Sequence, residues 1–394
     1  MPQRIALELQ ALVAETRRKY PDVRQSAEHL LAQWQADADR TVSELQSCKD
    51  PSSHALLQMI VLACETRSPK VIQLALSLLQ SSIPLRILPD TSLATVIDTL
   101  HTLLSAPGRT DVDVQLKILQ IVSSLLVTYA NVTSELLSRA LMLCFTLYEH
   151  SRVVVVSSTA AAMLRQNVMV VFEKVHGEDQ SFDAIQNEDA AVNAPLPVGT
   201  AELPSGPVTL FPCAADVYHL LNDLCALADG QPAHFLPLDT LSKPFVLELL
   251  ESVLTTQSSL FQRHPELVYI LRSAACPFLL KALSKPPASF SVYIRVMRLV
   301  VLLLCEYHEE IVLEVEMLLR ALLDTLDEKH ALWQRVLAWE TIRSLSADSA
   351  FLIFVWEQFD GQTEPICVLG RLVGCVQQYL SLIHISEPTR PERI

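Results

Sequence analysis

Glycine is scarce in this chain, with eight residues in 394, and so few positions suit tight turns. The motifs GxGxxG, GxxxxGK[ST], GxSxG and HExxH are all absent, so the enzyme classes most legible in a sequence lack their residues. No CxxC occurs either. The nine cysteines are odd in number, and most stand among aliphatic residues, as Cys64 does in MIVLACET and Cys305 in VVLLLCEY. They read as reduced thiols serving as small core residues. A zinc site built from Cys213, His219, Cys225 and His234 matches no common ligand spacing. His101, His150 and His219 each stand singly within helical patterns, where a packed or surface imidazole is the expected role. Catalytic, cofactor-binding and metal-ligating residues are therefore expected to be none. Basic charge is short as well: 30 Lys and Arg against 44 Asp and Glu leave a formal net charge of -14. A broad basic face for nucleic acid or anionic lipid is excluded, because such faces work by neutralising phosphates.

Long uninterrupted apolar runs are missing too. The stretch STAAAMLRQNVMVVFEKV, residues 158–175, is apolar but carries Arg165, Gln166, Glu173 and Lys174, whereas a membrane helix needs about 20 mostly apolar residues. No transmembrane span is expected. Glu8 interrupts the N-terminal segment where a signal peptide needs an apolar core, so a cytoplasmic location is expected. At helical spacing, Ala160, Leu164, Val168, Val171 and Val175 form one stripe, flanked by Met163, Met169 and Phe172. A helix packed on most sides follows from that pattern.

Helical periodicity fills the chain. Ser68 and Pro69 open a helix that aligns Val71, Leu74, Ala75, Leu78 and Leu79, and Asp50 and Pro51 open the one before it. Helices are predicted over 2–19, 22–47, 90–105, 111–130, 132–149, 151–176, 212–229, 239–262, 265–284, 290–308, 309–327, 330–346 and 364–379, with no convincing strand. Short breaks and irregular helix pairs predict an all-α fold, an α-solenoid of stacked armadillo or HEAT-like helices.

Between Val175 and Ser242 there is no Lys or Arg, while acidic residues gather beside APLPVG and ELPSGP. Residues 177–209 are therefore expected to be an acidic, proline-containing linker between helical domains at 1–176 and 210–379. The final segment, 380–394, breaks the pattern: LSLIHISEPTRPERI loses periodicity, and LSLIHISEPTR is what one frame of a common sequencing adaptor would encode. It is read as non-native and excluded from the fold. Gly370 and Gly374 form a GxxxG read as close helix packing, and the sequon at Asn131 carries little meaning in a cytosolic chain. Arg17, Arg18, Lys19 and Arg24 cluster near the first turn, as a solvated helix end or as a contact for an acidic partner.

TAAAMLRQNVMVVFEKV resembles the last helix of the N-terminal domain in the Mon-two (Ysl-two) family, non-catalytic relatives of the large Golgi Arf guanine-nucleotide exchange factors. PCAADVYHLLNDLCALADG, followed by FVLELLESVL at 245–254, resembles the start of that family's second helical domain, and KYPDVRQSAEHLL is similar to its first helical turn. The likeness covers most of residues 1–379. It implies a DCB domain (dimerisation and cyclophilin binding) followed by a HUS domain, with a possible homodimer through 1–176. The family's Asn-Tyr-Asp-Cys box has its nearest counterpart in Gln358, Phe359, Asp360 and Gly361, where only the aromatic and the aspartate survive. The resemblance implies a non-enzymatic scaffold, peripheral on trans-Golgi and endosome membranes. Its implied partners are an Arf-like small GTPase, a Dopey-type protein and a lipid flippase. Two alternatives stand beside it: the regulatory region of an active exchange factor, and a nuclear-transport or general HEAT adaptor.

Overall fold

A computed structural model describes residues 2–36, 51–66, 68–105, 111–187, 196–361, 367–375 and 377. The chain divides into two units, one formed by 1–200, 209–219 and 234–237, the other by 201–208, 220–233 and 238–394.

In the first unit, α1 (Pro2–Thr16), α2 (Pro21–Ala36), α3 (Pro51–Glu65), α4 (Pro69–Ser82), α5 (Leu93–Ser105), α6 (Val112–Thr128), α7 (Ser134–His150) and α8 (Val154–Asn187) follow one another. Helices α1, α4, α6 and α8 pack side by side in one layer, and α2, α3, α5 and α7 in a second. This is the two-layer arrangement of a solenoid. Proline stands at the first helical position of α2, α3 and α4, where its missing N–H costs nothing and its fixed φ suits the helix. Ser68 holds the N-cap position of α4, but its hydroxyl makes no capping bond, so Pro69 carries that start.

The second unit contains α10 (Lys243–Thr256), α11 (Ser258–Arg263), α12 (Pro265–Ile270), α13 (Cys276–Ser284), α14 (Phe290–Glu306), α15 (Val312–Asp324), α16 (Leu332–Ala347) and α17 (Ser349–Val355). Helices α10, α14 and α16 form one layer, and α15 packs on α13 and α17 on α16. One further helix, α9 (Pro212–Asp229), starts in the first unit and ends in the second. All-α architecture is thus the observed fold class, as expected.

Three expectations need correction. Helix α8 runs to Asn187, eleven residues into the segment read as linker, because Phe182 packs its ring 4.2 Å from that of Phe211 and Glu178 is bonded inside the unit. The remainder of that segment holds a hairpin, β1 (Gly199–Leu203) and β2 (Gly206–Leu210), closed by Pro204 and Ser205 with Gly206 at φ 119°. Five-residue strands holding two prolines around the turn leave too little alternation to recognise. Helix α17 was not foreseen either. Its seven residues are too few for a period, and Asp348 starts it by accepting from the amides of Ala350 and Phe351 at 3.0 and 3.3 Å. The predicted tail at 380–394 lies outside the described residues.

Two stretches, Val154–Phe182 and Pro265–Ser284, are long and apolar enough by composition to cross a membrane, so interruption by charge does not by itself exclude them. Packing assigns them differently. In α8, Ala160, Leu164, Val168, Val171, Phe172 and Val175 are each at most 1% exposed. Asn167 is also buried, and within 158–175 the exposed positions are Ser158, Ala162, Gln166 and Glu173. The stripe is therefore the core of the first unit, worth roughly 1.5–3 kcal/mol for each large side chain withdrawn from water.

Candidate functional site

The basic cluster forms the corner between α1 and α2. Thr16 ends α1 by donating from Oγ1 to the carbonyl of Leu12 at 2.7 Å, and Tyr20 pins the corner through its hydroxyl to the carbonyl of Thr66 at 3.0 Å. Between them Arg17, Arg18 and Lys19 are exposed. A shallow pocket of about 290 Å³ opens there, lined by Arg17, Arg18, Pro21, Arg24, Gln25 and Glu28. Arg24 is held by Glu28 at 2.6 Å. The structure thus brings three of the four predicted basic residues to one pocket, while Lys19 stays outside its lining. Three guanidiniums against one carboxylate suit an anionic partner group, since each presents a planar fork of donors to carboxylate or phosphate.

Gln358, Phe359 and Asp360 take a different part. They lie in a wide π-helical turn, Trp356–Asp360, that ends α17. Phe359 is buried, its ring 6.2 Å from that of Phe354. Asp360 accepts from the amide of Val368 at 2.7 Å and that of Leu369 at 2.9 Å, and so caps the helical segment that covers 368–375. Only Gln358 of the three is exposed. A Cβ at Gly361 would stand 3.0 Å from the carbonyl of Trp356, which gives a steric reason for glycine at the fourth position of the box. The box-like residues shape a turn here, and of the three only Gln358 faces outward.

A third constellation was not foreseen. Inside the first unit, Lys174 of α8 donates to the carbonyls of Tyr129 and Val132 at 3.0 and 3.2 Å, beyond the C-terminus of α6. Glu178, one turn further, accepts from the amides of Cys213 and Ala214 at 3.1 Å each and caps α9. Asp216 of α9 accepts from the amide of Ser134 at 2.7 Å, and Ser134 has φ 53°, a strained value for a residue with a side chain. Three charged groups thus satisfy three helix ends. Burial lowers the Lys174 pKa and raises those of Glu178 and Asp216, the last to about 7. The Cys213 thiol is pushed up to about 12, mainly by burial and also by Glu178, so it stays protonated at neutral pH. Among the described residues no three of His, Cys, Asp and Glu converge as a metal site would require. The signal for this constellation lay in Lys174 being the last basic residue before a long acidic segment, but which carbonyls it would reach depends on packing.

Comparison with known proteins supplies the family. The model described as Mon2/Sec7/BIG1-like, dimerisation and cyclophilin-binding domain, matches residues 2–179, and the one described as Mon2/Sec7/BIG1-like, HUS domain, matches 213–365. The chain is 29% identical to the Protein MON2 homolog of Homo sapiens over 400 residues, covering 97% of this chain and 22% of that protein. It is 30% identical to the Protein MON2 homolog of Caenorhabditis briggsae, covering 93% and 24%, and 25% identical to Protein MON2 of Saccharomyces cerevisiae, covering 95% and 22%. The chain spans less than a quarter of the length of these relatives.

Proposed function

Because the chain belongs to the Mon2/Sec7/BIG1-like family, as similarity across its DCB and HUS regions shows, we propose that it acts as a non-catalytic scaffold in Golgi and endosome membrane traffic. The observation that carries this reading is the match of residues 2–179 and 213–365 to the DCB and HUS regions of that family, each over stacked helices. In this reading the chain is cytoplasmic and peripheral on trans-Golgi and endosome membranes. An Arf-like small GTPase recruits it, a Dopey-type protein and a lipid flippase work with it, and a second copy binds through the DCB region. Arg17, Arg18 and Arg24 form the contact for an acidic partner surface, with Lys19 adding long-range attraction.

The test is retention of Arf-like GTPases on the immobilised chain, each loaded with GTP or GDP, alongside light scattering of the free chain. The expected result is GTP-dependent retention, reduced at least tenfold by reversing Arg17 and Arg24 to Glu, and a concentration-dependent dimer. Equal retention of both nucleotide states, or none, overturns the recruitment reading. The family description also spans Sec7 and BIG1-like proteins, which supports a second reading, the regulatory region of an active exchange factor. Sequencing the transcript beyond this region separates the two: a downstream catalytic exchange domain favours the second.

A further inference from the structure

The second unit has a groove of about 510 Å³ on the layer formed by α10, α14 and α16. Its floor is an apolar stripe of α14, in which Ile294, Met297, Val301 and Leu302 recur at helical spacing, and Leu337 of α16 continues it. All but Met297 remain half-buried. Thr255 on α10 and Ser344 on α16 form the walls, and their short side chains leave the space between the flanking helices open. Around the rim stand Glu251, Glu306, Glu340 and Arg298, and Glu340 is ion-paired with Arg343 of the same helix. Arg298 is already engaged with Glu251 at 3.6 Å, and Arg295 lies 3.1 Å from Glu248 and 3.8 Å from Glu251. Glu306 and Glu309 are both exposed at the C-terminal end of α14, where the helix dipole adds negative potential.

We propose that this groove receives an amphipathic helix of a partner protein, with large aliphatic residues on one face and Lys or Arg along its flanks. The stripe lies on one face of α14 and gives a continuous apolar floor between two flanking helices, the form of groove that takes the apolar face of an amphipathic helix. Glu251 and Glu340 are each ion-paired with arginine, so Glu306 and Glu309 carry the surplus negative charge of the rim, and that surplus selects a basic partner. The same charge disfavours the two other occupants of an apolar groove: an anionic lipid would bring phosphate to carboxylates, and a second copy of this chain would bring another formal charge of -14. This inference goes beyond the scaffold reading and stands independently of the partners named there.

The experiment uses the full chain and a fluorescein-labelled 18-residue helical peptide with Leu on one face and Lys on the other, followed by anisotropy. A second peptide carries Glu in place of Lys. Three variants are compared: Glu306→Lys with Glu340→Lys, Val301→Asp, and Glu135→Lys, which makes one charge reversal on an exposed position of α7. Thermal melts verify that each remains folded. The expected result is micromolar binding of the Lys peptide, at least tenfold weaker binding of the Glu peptide, and at least tenfold loss in the groove reversal against less than twofold at Glu135. If Val301→Asp fails to fold, the rim variants decide alone. Equal loss at Glu135, or equal binding of both peptides, overturns the proposal. So does a dimer that dissociates on groove reversal, or binding of phosphatidylserine vesicles that the groove variants abolish.

Discussion

Asp216 is held by burial far from the ordinary behaviour of a carboxylate. Its folded pKa of about 7 lies above the usual 3.8, so between those values the folded state holds a proton that the unfolded state has released. Stability from this group is therefore fully present at low pH and is lost as pH rises toward 7. At roughly 1.4 kcal/mol for each pH unit between the two pKa values, the loss reaches at most about 4 kcal/mol. Glu178, also raised by burial, acts in the same direction, whereas the depressed Lys174 favours the folded state as pH rises into the alkaline range. Melting the first unit between pH 5.0 and 7.5 should show a midpoint that falls with pH, and Asp216→Asn should flatten that slope. A slope unchanged by the substitution would remove Asp216 as its source. Val171, only 1% exposed in the middle of α8, gives the complementary case. Val171→Asp places an unpaired carboxylate among aliphatic side chains and should cost several kcal/mol, read as a melting midpoint lowered by roughly 10 °C or more.

Among the elements, the segment that follows α17 depends most on a single side chain. Both oxygens of Asp360 are spent on the amides of Val368 and Leu369, so the helical segment at 368–375 starts on a carboxylate supplied from eight residues upstream. Asp360→Ala should cost about 1–2 kcal/mol locally. Hydrogen exchange checks it, with faster exchange expected for the amides of 368–375 and little change in α14. Asp360→Asn keeps one acceptor oxygen and should lie between the two. Uniform acceleration across the second unit would instead mean that Phe359 and Asp360 hold the whole stack.

The division of the whole molecule does not follow the composition boundary. The first unit includes 209–219 and 234–237, and those residues supply Asp216 to Ser134 and the carbonyl of Phe235 to Ser138 Oγ at 2.7 Å. A fragment ending at 176 therefore loses Glu178, the start of α9 and the partner of the strained Ser134. Fragment 1–237 should melt cooperatively, while 1–176 should melt several degrees lower and bind a hydrophobic dye. Equal melting of the two would show that α9 contributes nothing to the first unit.

Helical periodicity determined the all-α class and the stripe at Ala160, Leu164, Val168, Val171 and Val175, because a 3.6-residue repeat is a local property that survives any arrangement of neighbours. The clustering of Arg17, Arg18 and Arg24 was legible for the same reason, since all three lie within two turns of one corner. Tertiary structure alone decided the rest. It set the end of α8 at Asn187 where acidic composition suggested a linker, because Glu178 finds its partners 35 and 36 residues away on α9. It turned Phe359 and Asp360 inward, and it opened a groove where Thr255 and Ser344, distant in sequence, face the same side of α14. Long-range partners decide whether a charge is a solvated surface group or a buried cap, and no local window of sequence contains them.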